Sequence, residues 1–418
     1  MPLTVALIIE HFDATRGGAE YLTVWLAGEL AKAGLEVHVV CHDVASRINR
    51  YRAATQRASH DADRSHQAQS VEQEIPAGVH IHTLRGIKLN TALGFRSFGR
   101  RARRWCQEHK PDVVHSMTVA FAGDLYHPHA GIYERIQSQA VASRQTAASA
   151  RFKRLMLQLS PKQQTLLALE RRAVSLPPEG AGKFVSICQM MTQQLRDVYN
   201  VGSERVVLLE NPRMNALPDA GQAAADRAWF RGHYHLAEPD RVALFVGHDF
   251  RRKGLRFAIE AVAAAPGWKL LVVGLGKVRE FVEQVENAGL TERIKFIGPT
   301  RQMNQVYAAG DALILPTFYD SFGLVVVEAL AHGLPVISTE FLGAADLVRR
   351  NHVGTIVPGP RDVLAMTAAL TGLPTDMAQR AAFAARARRA AEGMPPEKYV
   401  RDVIGLYESF VAEKRRSR

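Results

Sequence analysis

The strongest constraint on this chain is a repeated rhythm: a short apolar run, a loop with glycine, then a helical stretch. Leu3 to Ile9 is apolar throughout, as in a strand buried on both faces of a parallel sheet. A helical segment follows from about Ala19 to Ala33, where Leu22, Trp25, Leu26 and Leu30 form one apolar stripe and Gly34 supplies a stop. Further strands are expected at Leu35–Cys41, Val79–Thr83, Asp112–His115, Lys183–Ile187 and Val206–Leu209. Prolines interrupt the pattern between about Glu210 and Gln222. A second series then begins, with strands expected at Val242–Val246, Lys269–Val273, Ile294–Ile297, Ala312–Leu315, Pro335–Ile337 and Thr355–Val357. Two consecutive βα series predict an α/β protein with two doubly wound parallel sheets and a cleft between them. The expected domains are 1–210 and 211–395, with an amphipathic last helix over 396–414 returning to the first.

Composition removes other classes. Three cysteines, Cys41, Cys106 and Cys188, are far apart and have neither metal-ligand spacing nor the even number of a disulfide framework. No apolar run reaches the roughly 18 residues of a membrane span. The apolar N-terminus lacks a basic leader and is read as a strand, so the expected location is cytoplasmic, with contact to a membrane from the inner face. Asp43 to Glu74 is polar with little periodicity and reads as a loop or weak helix.

Two loops carry chemistry. Gly17 and Gly18 sit between the first strand and the first helix, where backbone amides and a helix N-terminus can approach an anion. A tight turn explains them equally well. The segment Asp320-Ser321-Phe322-Gly323-Leu324-Val325-Val326-Val327-Glu328 says more. It follows a buried strand and opens a helix ending at Gly333, which presents amides to an anion and places two carboxylates near them. A carboxylate in that position suits ribose hydroxyls.

This block, with Leu315-Pro316-Thr317 before it and Ala331-His332-Gly333-Leu334-Pro335-Val336-Ile337 after it, resembles the Glu-x7-Glu signature of the family 4 retaining glycosyltransferases. These enzymes have the GT-B fold, two facing Rossmann-like domains with an interdomain cleft. The resemblance extends to Gly17-Gly18, to Gly247-His248-Asp249-Phe250-Arg251-Arg252-Lys253-Gly254 and to Gly274-Leu275-Gly276. Within the family it is most similar to the glucosyltransferases of the lipopolysaccharide core. It implies a hexosyltransferase that uses a nucleotide-sugar donor, expected to be a UDP-sugar, needs no metal, and acts on a lipopolysaccharide-core or other membrane-linked glycan.

The resemblance also implies site roles. Gly17 and Gly18 would lie against the donor diphosphate or sugar. Lys253, with Arg252 beside it, would neutralise the leaving diphosphate. Asp320 would replace the first signature glutamate, with Ser321, Phe322 and Gly323 contacting sugar hydroxyls. The amides of Leu324 and Val325 would approach the phosphates, Glu328 would bind the ribose, and Pro299 and Thr300 would border the base. His129, in Tyr126-His127-Pro128-His129, would touch the transferring sugar from the first domain. The sequence departs from the family at Asp320, at His248 where Arg is common, at Gly343-Ala344-Ala345-Asp346 and at Asn211-Pro212-Arg213-Met214.

The net charge of +12 is concentrated. Residues 85–110 and 135–172 each hold eight Lys or Arg against one acid, which together exceed the whole net charge. Each contains an apolar stripe, Phe95, Phe98, Ala102 and Trp105 in one and Phe152, Leu155, Met156 and Leu159 in the other. Basic amphipathic helices of this kind suit an anionic membrane surface, while a helix packed on its own sheet is the plain alternative. No nucleic-acid module is recognisable. Other readings are a nucleotide-sugar epimerase, a phosphorylase, or a non-catalytic protein that binds nucleotide sugars or anionic surfaces. A Rossmann oxidoreductase would need a full glycine fingerprint, which is missing.

Overall fold

The computed structural model describes residues 2–44, 76–177 and 180–416. Most of the polar stretch 43–74 lies outside the described residues. Strands β1 (Thr4–Phe12), β2 (Glu36–Val44), β3 (Val79–Thr83), β4 (Val113–Ser116), β5 (Leu125–Tyr126), β6 (Lys183–Ser186) and β7 (Val206–Leu208) form one sheet in the order β3-β2-β1-β4-β5-β6-β7. Strands β8 (Arg241–Val246), β9 (Trp268–Val273), β10 (Ile294–Gly298), β11 (Ala312–Leu315), β12 (Val336–Thr339) and β13 (Gly354–Val357) form a second, ordered β10-β9-β8-β11-β12-β13. The pairings of β1 with β2 and β4, and of β8 with β9 and β11, are parallel. Both sheets are doubly wound, with their first strand in the middle. Beside that strand the winding reverses, and ligands of such sheets bind at this switch point, beyond the carboxyl ends of the strands.

The chain divides into two compact units, one of Met1–His129, Ser160–Val185 and Val400–Arg418, the other of Ala130–Leu159 and Ser186–Tyr399. The first strand of each sheet is apolar because it is covered on both faces: Val5 to Ile8 and Val242 to Phe245 are fully buried. Leu125–Tyr126, a strand of two residues, is too short to leave an apolar run in the sequence.

The two basic stripes have different fates. In the helix Ala92–His109, Phe95, Phe98, Ala102 and Trp105 are buried. Burying each aromatic contributes about 1.5–3 kcal/mol. That stripe belongs to the core of the first unit, and the expectation that segment 85–110 offers it to a membrane is corrected: outside remain basic residues such as Arg96, Arg100 and Arg104, together with Ile87 and Leu93, which are not part of the stripe. The helix Ala147–Leu159 has no buried residue at all. Phe152, Leu155, Met156 and Leu159 are 65%, 49%, 48% and 67% exposed, beside Arg151, Lys153 and Arg154. No helix among the described residues is long and apolar enough to cross a membrane.

Candidate active site

In the second unit the loops after β8, β11 and β12, adjacent strands in the sheet order, are stitched together. The loop after β8 is anchored by Phe250, which is buried and packs edge-on against Phe245 and Phe281. Turn hydrogen bonds Lys253 N–H to Asp249 O (3.0 Å) and Leu255 N–H to Phe250 O (2.9 Å) close it. Gly254 has φ +77°, and a Cβ there would lie 1.9 Å from the Pro316 carbonyl oxygen. Only glycine lets the β8 loop approach the end of β11 so closely.

Across that contact, Phe318 N–H donates to Arg252 O at 2.8 Å. The Arg252 guanidinium donates to Tyr319 O and pairs with Asp249 at 3.1 Å. Lys253 Nζ forms an ion pair with Asp320 Oδ2, and both side chains are buried. Burial pulls the Lys253 ammonium below its ordinary pKa, and Asp320 holds it up. A buried charge without its partner is costly, so neither residue is free to be neutral in size and apolar in nature without disturbing the other.

The β12 loop holds Asp320 from behind. Asp320 N–H donates to Phe341 O (3.0 Å), Gly343 N–H to Asp320 O (2.8 Å) and Ala344 N–H to Phe322 O (2.8 Å). A Cβ on Gly343 would sit 2.0 Å from Ser321 O, which explains the glycine kept in a segment that otherwise departs from the family. Gly323 then opens the helix Leu324–Ala331, whose first amides, those of Leu324 and Val325, have no carbonyl of their own helix to bind. Ser321 O also accepts from the Cys188 thiol (3.2 Å), whose pKa burial pushes up to about 12. A lone cysteine in the sequence gave no signal of this contact.

Glu328 lies farther along that helix. Its Oε2 accepts from the Tyr307 hydroxyl at 2.7 Å. Burial raises the Glu328 carboxyl and that hydrogen bond opposes the rise. Burial and the adjacent carboxyl drive the Tyr307 hydroxyl well above its ordinary value. Tyr307 is a partner the sequence reading missed. Pro299 and Thr300 follow β10 and are half-buried, and Thr300 Oγ1 accepts from Gln302 N–H (3.0 Å). His248 is exposed, and its Nδ1 accepts from Leu275 N–H (3.2 Å). The structure thus gathers Arg252, Lys253, Asp320, Ser321, Phe322 and Gly323 around one set of strand ends.

In the first unit, Gly17 is extended (φ 179°) and Gly18 begins the helix Gly18–Lys32, so Gly17 needs no special backbone freedom. His129 ends a column of buried rings. Its ring stacks on that of His127 at 3.8 Å, His127 Nδ1 meets His115 Nε2 at 3.1 Å, and His115 Nδ1 meets the Tyr407 hydroxyl at 2.7 Å. Burial lowers His115 and His129 to about 3 and holds His127 well below its ordinary value, so all three are neutral at pH 7. Nearby in the sheet, at the carboxyl end of β1, Glu10 Oε1 accepts from the Thr118 hydroxyl, and burial pushes its carboxyl up to about 7.

Comparison with known proteins agrees with this architecture. Residues 16–212 match the model of Glycosyltransferase Family 4, and residues 227–390 that of Glycosyl transferases group 1. The lipopolysaccharide glucosyltransferase WaaG of Escherichia coli (strain K12) is 28% identical over 219 residues, 50% of this chain and 59% of that protein. A D-inositol 3-phosphate glycosyltransferase of Salinispora tropica is 29% identical over 254 residues, 56% of this chain and 52% of that one. The chain thus spans little more than half the length of these curated relatives. Among solved structures, that of WaaG aligns with TM-score 0.71 at 21% identity, covering 94% of this chain and 98% of that one. Anabaena HepE, in complex with UDP and glucose, aligns at 0.64 with 17% identity, covering 97% and 99%. With a family model on each half and two doubly wound sheets of GT-B type, the chain belongs to the family 4 glycosyltransferases.

Proposed function

We propose that the protein is a retaining hexosyltransferase that moves a sugar from a nucleotide-sugar donor, a UDP-sugar by likeness to HepE, to a lipopolysaccharide-core or other membrane-linked glycan. The observation that carries the reading is the buried Lys253–Asp320 pair with Arg252 beside it, at the switch point of the second sheet. Transfer requires a departing diphosphate to be stabilised while the sugar passes through an oxocarbenium-like state. Preorganised positive charge aimed at the developing negative charge is the strongest single means. In this reading the donor diphosphate takes Asp320's place as partner of Lys253. The released carboxylate then turns to hydroxyls of the transferring sugar, together with Ser321, Phe322 and Gly323.

Arg252 and the amides of Leu324 and Val325 share the phosphate charge, so no metal ion is called for. Glu328, its Oε2 held by Tyr307, binds the ribose, and Pro299 and Thr300 flank the base. By the family resemblance, Gly17 and Gly18 are assigned to the donor and neutral His129 to a hydrogen bond with the transferring sugar. The acceptor proton leaves with the diphosphate oxygen. The exposed stripe of the helix Ala147–Leu159, flanked by basic residues, supports peripheral attachment to the inner face of an anionic membrane, where a glycolipid acceptor resides.

A thermal-shift panel of UDP-, GDP-, ADP- and TDP-sugars tests the donor assignment. Binding to the folded state alone adds about 2.7 kcal/mol at a hundredfold excess over Kd. A rise in Tm with UDP-sugars that is largely lost in Glu328→Ala is expected. No rise with any nucleotide sugar would overturn the reading.

A further inference from the structure

We propose that Glu10, at the switch point of the first sheet, is a binding residue for a neutral hydroxyl of a sugar or polyol, the acceptor side of the reaction. The proposal rests on the transferase reading above.

The position follows from topology. In the first sheet β1 is flanked by β2 on one side and β4 on the other, and Ile8 pairs with Ser116. Glu10 lies two residues beyond Ile8, and Thr118 two beyond Ser116. The two side chains therefore come from the two strand ends that border the reversal of winding, where ligands of such sheets bind. The second sheet has the same arrangement, its β8 loop giving Lys253 and its β11 loop Asp320. There the pair includes a cation, which suits a diphosphate. The first sheet instead presents a carboxyl and a hydroxyl, which suit an uncharged hydroxyl of a ligand rather than a phosphate group placed against them.

The carboxyl is fixed in place rather than loose. Thr118 is buried and donates its hydroxyl proton to Glu10 Oε1. Thr118 Oγ1 in turn accepts from Ala120 N–H (3.0 Å), and Ser116 Oγ accepts from Thr118 N–H (3.3 Å). The charged groups that face Glu10 are Arg16, which draws its proton off, and Glu20 of the first helical turn, which holds it on. Among the described residues Glu10 has no ion pair, so burial dominates and keeps the carboxyl half-protonated near neutral pH. A secluded carboxylate without a cation costs stability, and such a group at a strand-end crevice is a mark of a functional site. Its own backbone amide also donates to the carboxyl, and the residue remains partly exposed, so a ligand hydroxyl can still reach it.

The test uses the full chain, UDP-glucose or whichever nucleotide sugar raises Tm, and two acceptors: a heptose-containing lipopolysaccharide-core oligosaccharide and D-inositol 3-phosphate. Glu10→Gln keeps an oxygen for Thr118 and removes the charge. It is expected to raise the acceptor KM roughly 10- to 100-fold, the loss of one charge-assisted hydrogen bond, with the donor KM unchanged. In the wild type the acceptor KM should climb as pH falls through about 7, as Glu10 takes up its proton. That limb should vanish in Glu10→Gln. In Thr118→Val it should move to higher pH, because the hydrogen bond that lowers the Glu10 pKa is gone. Wild-type transfer to neither acceptor would count against the transferase reading itself. Wild-type transfer with an unchanged acceptor KM and an unchanged pH limb in Glu10→Gln would overturn the role of Glu10. A lower melting temperature alone would also overturn it, as the mark of a purely structural residue.

Discussion

His115, His127 and His129 show how much a single residue type can hide. The sequence singles out His129 because two histidines bracket a proline before a glycine, at a strand-end loop. It gives no sign that His127 and His115 continue inward to Tyr407, since that contact joins residues 292 positions apart. Glu10 was equally silent, one acid ending an apolar run. These groups set a pH dependence. A histidine buried neutral has its folded pKa below the unfolded value of about 6.5, so the unfolded chain binds the extra proton as pH falls below 6.5. Each such group removes up to about 1.4 kcal/mol of stability per pH unit in that window. Glu10 acts in the opposite direction, because its folded pKa is raised and the folded state gains a proton between 7 and 4.5. Glu328 is raised as well, but the lowered histidines, which include His42, His82 and His332, outnumber the two carboxyls and leave a net loss. Tm is expected to fall from pH 7 to pH 5, and less steeply in a His115→Gln variant that still folds. A Tm that holds steady or rises over that interval would contradict the column as described.

Elements were legible to different depths. The strands of both sheets and the Gly323 helix start follow from apolar runs and glycine stops, which report burial on two faces and the end of a helix. Leu125–Tyr126 was not legible, because two residues make no pattern. The two basic amphipathic helices looked alike for a physical reason: an apolar stripe shows that something must cover it and says nothing of what does. Phe95, Phe98 and Trp105 are covered by their own unit, and Phe152, Leu155, Met156 and Leu159 stay about half or more exposed. The second stripe is therefore the one predicted to reach lipid. In sedimentation with vesicles of phosphatidylethanolamine and phosphatidylglycerol at low salt, the wild type should co-sediment. A Phe152→Glu, Leu159→Glu double variant should lose most of that binding, and added salt should weaken the wild type as charge is screened. Equal sedimentation of both proteins would remove this helix from membrane attachment.

At the scale of the whole molecule, two sheets wound in the same order each place polar groups at the reversal of winding, and the two sets differ in charge. The second carries Lys253, Arg252 and Asp320, and the first Glu10 and Thr118, with the histidine column in the same unit. The family resemblance located the second set residue by residue from the Asp320–Glu328 block and the Arg252-Lys253-Gly254 element. Their stitching through Phe318, Phe341 and Gly343 depends on three loops far apart in sequence and could only be seen in three dimensions. In the proposed reaction Lys253 supplies the electrostatic stabilisation of the leaving diphosphate. This role is tested by the rate of hexose transfer from the UDP-sugar, with a chelator present, in wild type and in folded Lys253→Ala, with the anomeric configuration of the product read by NMR. Chelator-insensitive wild-type transfer with retention is expected, with a fall on the order of 10²-fold or more in Lys253→Ala. Near-normal turnover in that variant, or an inverted product, would contradict it.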